Sequence, residues 1–425
     1  MTEIQARLAE LSDLGLYRRT RLVSGPQGPN VVLDGKPVLL LCSNNYLGLA
    51  DHPRVQDAAT DAVMRWGVGA GASRLISGTM TVHRRLEERL AAFKRTESAV
   101  LFGSGYLANI GVVTALARAG EVVFSDELNH ASIIDGCRLS RAETFVYAHN
   151  DTEHLAWGLQ QAGPRASVII TESVFSMDGD LAALEEIAEL ADRHDVRLVV
   201  DEAHSTGCLG PGGRGAVADA GLEAEVDVIV GTLGKALGSY GAFAACSAEM
   251  ARYLTNTSRP LIFSTAPPPP AVAGALAAVE LLEEQPRRVE RLQANAEVLR
   301  GELTRESFDV AGSTTQIVAL IVGDAHTAMR VCEAALERGV FAQAIRPPTV
   351  APGTSRLRLA VMATHTKDEL LEAARILGRA ALQAGFRPAT AMPVAVAQQA
   401  ARNADGAPPV GLFDVEAPHA VPSAA

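Results

Sequence analysis

Three things are scarce in this sequence of 425 residues, and each scarcity removes a class of protein. Cysteine is the first. Cys42, Cys137, Cys208, Cys246 and Cys332 are the full set, and no two have the spacing of a zinc knuckle or a redox pair. They read as reduced core or loop residues, and no metal site is expected. Long apolar runs are the second. The longest, Ala271 to Val279, stops at Glu280, far short of the ~20 residues that a membrane helix needs, so no membrane partner is expected. Met1 to Leu16 puts Ile4, Leu8 and Leu11 on one helical face and acidic residues on the other, unlike a signal peptide. The expected setting is cytoplasmic. Positive charge is the third, and a net charge of -11 argues against a nucleic-acid partner.

What is present suits a globular enzyme: 48% hydrophobic and 20% charged residues, enough for a large core and, at ~150 residues per domain, more than one domain. Val31 to Leu41 reads as a hairpin around the Asp34-Gly35 turn, followed by the polar turn Ser43 to Leu49. From about Pro53 to Ala384, short β-branched runs alternate with helical periods. Ser98–Phe102, Glu121–Ser125, Ala166–Thr171, Val196–Val200 and Val226–Val230 are predicted strands, and the alternation predicts an α/β fold with a mostly parallel central sheet. The proline run Pro267 to Pro270 marks a boundary. The expected organisation is an N-terminal helix and hairpin over 1–50, a large domain over 51–270, and a smaller C-terminal α/β domain over 271–384 with strands at Thr315–Val322 and Arg356–Ala360. Beyond Gly385 the composition buries too little to offset its ordering entropy, so 385–425 is expected to be a disordered tail.

In an open parallel sheet, ligands bind beyond the carboxyl ends of the strands. Polar and glycine residues gather there: Gly103 to Tyr106, Asp126 to His130, Glu172 to Ser176, Asp201 to His204, and Thr232 to Lys235. Phe102-Gly103-Ser104-Gly105 is a strand end, a glycine turn and a helix start whose free N–H groups suit a phosphate; such a turn also serves simply to bend a chain. Asp201 closes the apolar Leu198-Val199-Val200, and a buried carboxylate needs a cationic or donor partner. A protonated pyridine nitrogen would serve, as would a capping or ion-pair role. His204 could donate to a cofactor's ring oxygen, and His130 could lie flat on the ring. Lys235 follows Gly231-Thr232-Leu233-Gly234, a spacing too short for a nucleotide P-loop, and Ala236 stands where that loop needs Ser or Thr. Alone, Lys235 is either a turn lysine or a Schiff-base lysine. With the others it completes a set for pyridoxal 5'-phosphate, in which the lysine anchors the cofactor and then acts as base. A nicotinamide dehydrogenase would tolerate Gly103-Ser104-Gly105 with Ala108 but leaves Lys235 and Asp201 without a task.

The stretches Ser43 to Leu49, Ser77-Gly78-Thr79, Asn129 to Ser132, Val174 to Asp180, Asp201 to Gly207, Thr232 to Lys235 and Ile345 to Val350 together resemble the α-oxoamine synthases, fold-type I pyridoxal-phosphate enzymes, from about Leu16 to about Ala384. The resemblance implies a homodimer that joins an amino acid to an acyl thioester, releasing carbon dioxide and free thiol. By position, Gly105 and Tyr106 meet the cofactor, His130 stacks on its ring, Ser176 and His204 bond its polar edge, Asp201 pairs with its nitrogen, Thr232 lies near its phosphate and Lys235 forms the Schiff base. Arg358 forks onto the amino acid's carboxylate with Asn44 assisting. Arg18 and Thr349 contact the acyl substrate, and Ser264-Thr265 reach the partner's phosphate. Arg346 to Val350 resembles the branch that uses L-alanine with a pimeloyl thioester, on coenzyme A or a carrier protein. Sister enzymes that use glycine or serine share nearly all the rest. A regulatory subunit keeping the fold without the chemistry is a further alternative, against which Lys235 argues.

Overall fold

The structure, a computed structural model, describes residues 2–310 and 312–388. From residue 389 onward the tail expected to be disordered lies outside the described residues. The hairpin forms as read: β1 (Val23–Ser24), β2 (Asn30–Leu33) and β3 (Lys36–Leu40) pair antiparallel. Asp34 and Gly35 both take positive φ, 49° and 81°, the pattern of a tight hairpin turn that follows the strand twist.

The main sheet contains β4 (Ser98–Phe102), β5 (Val122–Asp126), β6 (Glu143–Tyr147), β7 (Ala166–Glu172), β8 (Arg197–Asp201), β9 (Val228–Thr232) and β10 (Ala242–Cys246). Their spatial order is β4-β10-β9-β8-β7-β5-β6. Pairs among β5 to β9 are parallel, while β10 runs antiparallel between β4 and β9. Successive strand residues alternate between two hydrophobic cores: Leu101, Phe124, Ile169 and Ile229 enter one, and Val100, Val123, Val168 and Val228 the other. Burial on both faces is why these strands read as continuous apolar runs. At Gly231, a Cβ would sit 2.3 Å from the Phe243 ring. Glycine there lets β9 pass that ring just before it delivers Lys235.

A second sheet joins β11 (Ile317–Gly323), β14 (Ser355–Ala360) and β13 (Gln343–Ile345) antiparallel, while β12 (Val340–Phe341) pairs parallel with β3. The N-terminal hairpin thus shares a sheet with a strand of the C-terminal segment. The prolines expected to mark a boundary lie at a helix start. Helix Pro269–Glu284 starts inside the proline run, because proline's missing N–H costs nothing in a first helical turn, and it packs on helices Pro53–Trp66 and Thr81–Lys94 of the large body. Among the described residues, no helix is long and apolar enough to cross a membrane.

Candidate active site

Adjacent parallel strands bring the candidate residues to one edge of the main sheet. Asp201, the last residue of β8, is in register with Glu172 at the end of β7, and Thr232 ends the neighbouring β9. After β4, Ser104 caps helix Gly105–Leu116 by accepting the Leu107 N–H at 3.3 Å. His130 precedes helix Ala131–Ser140 in the same way after β5.

Asp201 is buried, 5% exposed. Its Oδ1 accepts the Ala203 N–H at 2.8 Å and its Oδ2 the Asn109 amide at 2.6 Å. The same amide reaches Ser132 Oγ at 2.9 Å, and Ser132 Oγ lies 2.7 Å from His130 Nδ1. Asn109 lies on helix Gly105–Leu116, and only the fold shows that it ties the Asp201 carboxylate, through Ser132, to the His130 ring. Beside Asp201, the Glu172 carboxyl is held well above its ordinary range, first by burial and then by Asp201, and its Oε1 is buried without a partner.

Lys235 is half-buried, with Nζ 2.7 Å from His204 Nε2. Lost solvation lowers its pKa to about 8, against the upward pull of Asp201 and Glu172 and with further lowering by Arg358. Burial, then the charges of Lys235, Arg358 and His130, hold His204 well below its ordinary value, so its imidazole is neutral. The His130 ring, open to the cleft, is also lowered, mainly by lost solvation. A Cβ on Gly105 would come 3.9 Å from Thr232 Cβ, so the helix start and the end of β9 close into one cradle. This donor set fits pyridoxal phosphate: a helix start for the phosphate, a buried carboxylate for the ring nitrogen, and a poised amine for the aldehyde carbon.

Arg358, on β14, is buried and enters from the smaller unit. Its Nε donates to the Ser176 carbonyl, Nη1 to Asn44 Oδ1 at 3.3 Å and Nη2 to Tyr46 Oη at 3.3 Å. Tyr46 is fully buried and meets His204 Nδ1 at 2.7 Å. Ser176, Asn44, Arg358, His204 and Lys235 are thus brought into one hydrogen-bonded chain, with Tyr46, which carries no role in the sequence reading, as its link. Tyr106 stands at the mouth, 41% exposed, donating to Asp135. Thr265 lies outside this cluster, bridged to Ser73. Arg18 and Thr349 line a second cleft of about 620 Å³ with Arg19, Arg21 and Arg346, and Arg18 donates to the Pro347 carbonyl at 3.2 Å.

A charged bracket supports the Ser176 turn. His149 sits 3.1 Å from Asp126, the last residue of β5, and 2.7 Å from Asp180, in the turn after Ser176. Burial disfavours its charge, but the hydrogen bonds and charges of the two carboxylates prevail and raise its pKa from 6.5 to about 10. A folded-state pKa above the unfolded one gives stability that is complete below the unfolded value and lost as pH rises through the folded value. Thermal unfolding between pH 6.5 and 10 should therefore show Tm falling with pH, and His149→Gln should flatten that fall. Parallel Tm profiles for the two proteins would contradict it.

Residues 36–377 match the family model described as aminotransferase class I and II. The 8-amino-7-oxononanoate synthase of Citrifermentans bemidjiense is 51% identical over 378 residues, 88% of this chain and 96% of that protein. The enzyme of the same name from Geobacter metallireducens is 52% identical over 375 residues, 87% and 95% of the two chains. Among solved structures, serine palmitoyltransferase from S. paucimobilis with a bound PLP-myriocin aldimine superposes with a TM-score of 0.86 at 33% identity, covering 90% of this chain and 97% of that one. The crystal structure of 8-amino-7-oxononanoate synthase from Francisella tularensis superposes at 0.71 with 27% identity, covering 82% and 99%. Fold and site define a fold-type I, pyridoxal-phosphate-dependent transferase. The chain belongs to the aminotransferase class I and II family and, within it, to the 8-amino-7-oxononanoate synthases.

Proposed function

We propose that this chain condenses L-alanine with a pimeloyl thioester to give 8-amino-7-oxononanoate, carbon dioxide and free thiol, the step that serves biotin synthesis. The observation that carries the reading is the continuous contact from Lys235 through His204 and Tyr46 to Arg358, which joins the amine that anchors a cofactor to the guanidinium that receives a carboxylate. Bound pyridoxal phosphate supplies the electron sink. Asp201 would pair with its ring nitrogen, His130 would stack on its ring, and His204 and Ser176 would bond its polar edge. Gly105 and Tyr106 would meet the cofactor, and Thr232 would lie near its phosphate. Arg358, with Asn44, orients alanine by its carboxylate, so that the Lys235 amine, its pKa near neutrality, takes the proton from alanine Cα. Arg18 and Thr349 receive the acyl substrate in the arginine-lined cleft.

The reading includes a homodimer with Thr265 reaching the partner's phosphate. Met64, Val68, Ile76 and Phe263, each more than 70% exposed, supply an apolar surface of the kind that interfaces bury. Free cysteines at all five positions support a reducing, cytoplasmic setting. The likeness to serine palmitoyltransferase favours a serine-using enzyme as the second reading. With purified protein, thiol release from pimeloyl-CoA should require L-alanine, and glycine should lower kcat/KM by at least ~10-fold, the scale of one lost methyl contact. Equal turnover of glycine with acetyl-CoA, or preference for serine, would sink the alanine assignment.

A further inference from the structure

Two hydrogen bonds near the His130 ring can run in one direction only, and the protons between them follow. The first is at Asp201. An ionised carboxylate only accepts, so the group 2.6 Å from its Oδ2 is the Asn109 amide nitrogen; turned over, that amide would set its own oxygen against the carboxylate. The second is at a helix start. His130 caps helix Ala131–Ser140, and its Nδ1 accepts the Ser132 backbone N–H at 3.2 Å. A backbone N–H only donates, so Nδ1 carries no proton. Between these two fixed ends lies a single hydroxyl. Ser132 Oγ, fully buried, accepts the other Asn109 amide proton at 2.9 Å and sits 2.7 Å from Nδ1. Nδ1 has only a lone pair to offer, so the hydroxyl proton goes to it. Asn109 then gives one proton to Asp201 and one to Ser132, and Ser132 turns both its N–H and its O–H toward the same ring nitrogen.

We infer that Ser132, oriented by Asn109, is a positioning residue that holds His130 as a neutral imidazole with its proton on Nε2, the ring nitrogen left for the open cleft. A proton on Nδ1 would face two others, the Ser132 N–H and O–H, so the helix cap itself opposes the imidazolium. The charged groups that face the ring from other elements are Asp201 at the end of β8, which favours a proton on it, and Lys235 beyond β9, which opposes one. His204, whose carbonyl accepts from the Gln316 amide at 2.8 Å, stays neutral. His130 can therefore give a hydrogen bond across the cleft through Nε2 and has no lone pair there to take a proton. In the proposed reaction it cannot stand in for Lys235 as the base at alanine Cα. That consequence rests on the proposed reaction, whereas the order of the protons belongs to the chain alone.

Histidine-selective ¹⁵N NMR on the full chain loaded with pyridoxal phosphate reads the proton positions, the His130 signal being assigned by its loss in His130→Gln. At neutral pH, Nε2 should be protonated and Nδ1 bare; a protonated Nδ1, in the other tautomer or in the imidazolium, would overturn the inference. Ser132→Ala removes the hydroxyl and keeps the backbone N–H. Loss of a donor to the neutral form should raise the His130 titration midpoint by about half a unit or more, with the proton of the neutral ring still on Nε2. A Ser132→Ala midpoint equal to wild type would also overturn it. Spectra of the cofactor-free full chain should show the same proton order, and none of these measurements needs turnover. Failure of the proposed reaction is thereby kept distinct from failure of the proton order.

Discussion

Lys235→Ala is expected to abolish condensation, with kcat falling by about 10³-fold or more, since a positioned general base alone contributes ~10²–10⁴ and the covalent anchor is lost with it. Among the described residues, the hydrogen bond at Lys235 Nζ that the substitution removes is the one to His204, and the surrounding strands keep their packing, so the fold should persist. Borohydride treatment of the native, loaded protein should fix the cofactor to Lys235, as mass spectrometry of the peptide would show. The Lys235→Ala protein should take no label. Undiminished turnover, or a label on another residue in the native protein, would remove Lys235 from the mechanism.

Asp201→Asn carries the second large effect. The substitution keeps size and removes the charge that would face a cationic ring nitrogen in a buried site. Breaking one side of a buried ion pair costs about 3–5 kcal/mol, which corresponds to a rise of ~10²–10⁴-fold in the cofactor's dissociation constant. Fluorescence titration of cofactor-free protein with pyridoxal phosphate measures it. Affinity within threefold of wild type would mean that Asp201 is held by Asn109 and Ala203 for structural reasons and pairs with no cation.

The five strands read from β-branched runs all lie in the main sheet because strands buried on both faces must be apolar throughout. Strand β10 escaped that criterion. Its Ala242, Ala244 and Ala245 carry little β preference, and their value lies in small size beside Gly231 and Phe243, which only the paired strands reveal. The candidate site residues at the strand ends were legible for a similar reason: each sits in a short local pattern, so Asp201, Thr232 and Lys235 announce themselves without partners. Tyr46, Asn109 and Gln316 do not. Tyr46 is 158 positions from His204 and Gln316 is 112 positions from it, and a buried tyrosine or amide reads as ordinary core until those contacts are made. Glu172 likewise looks like one more polar residue after a strand, and its unpartnered oxygen follows from its register with Asp201. The proline run was visible as a break, but composition does not say which body the following helix packs on.

The parallel pairing of β3 with β12 ties Leu40 to Phe341, and this sets an order of events during synthesis. A chain emerging from the ribosome can complete the main sheet, with Lys235 and Asp201 in place, before residue 341 exists. It cannot complete the other end of the candidate site, because Asn44 and Tyr46 must wait for Arg358. Non-local closures of this kind are slow and come late. An unfinished chain would thus hold Lys235 and Asp201 in place without Arg358, and this hydrogen-bonded chain cannot close until residue 358 has been made.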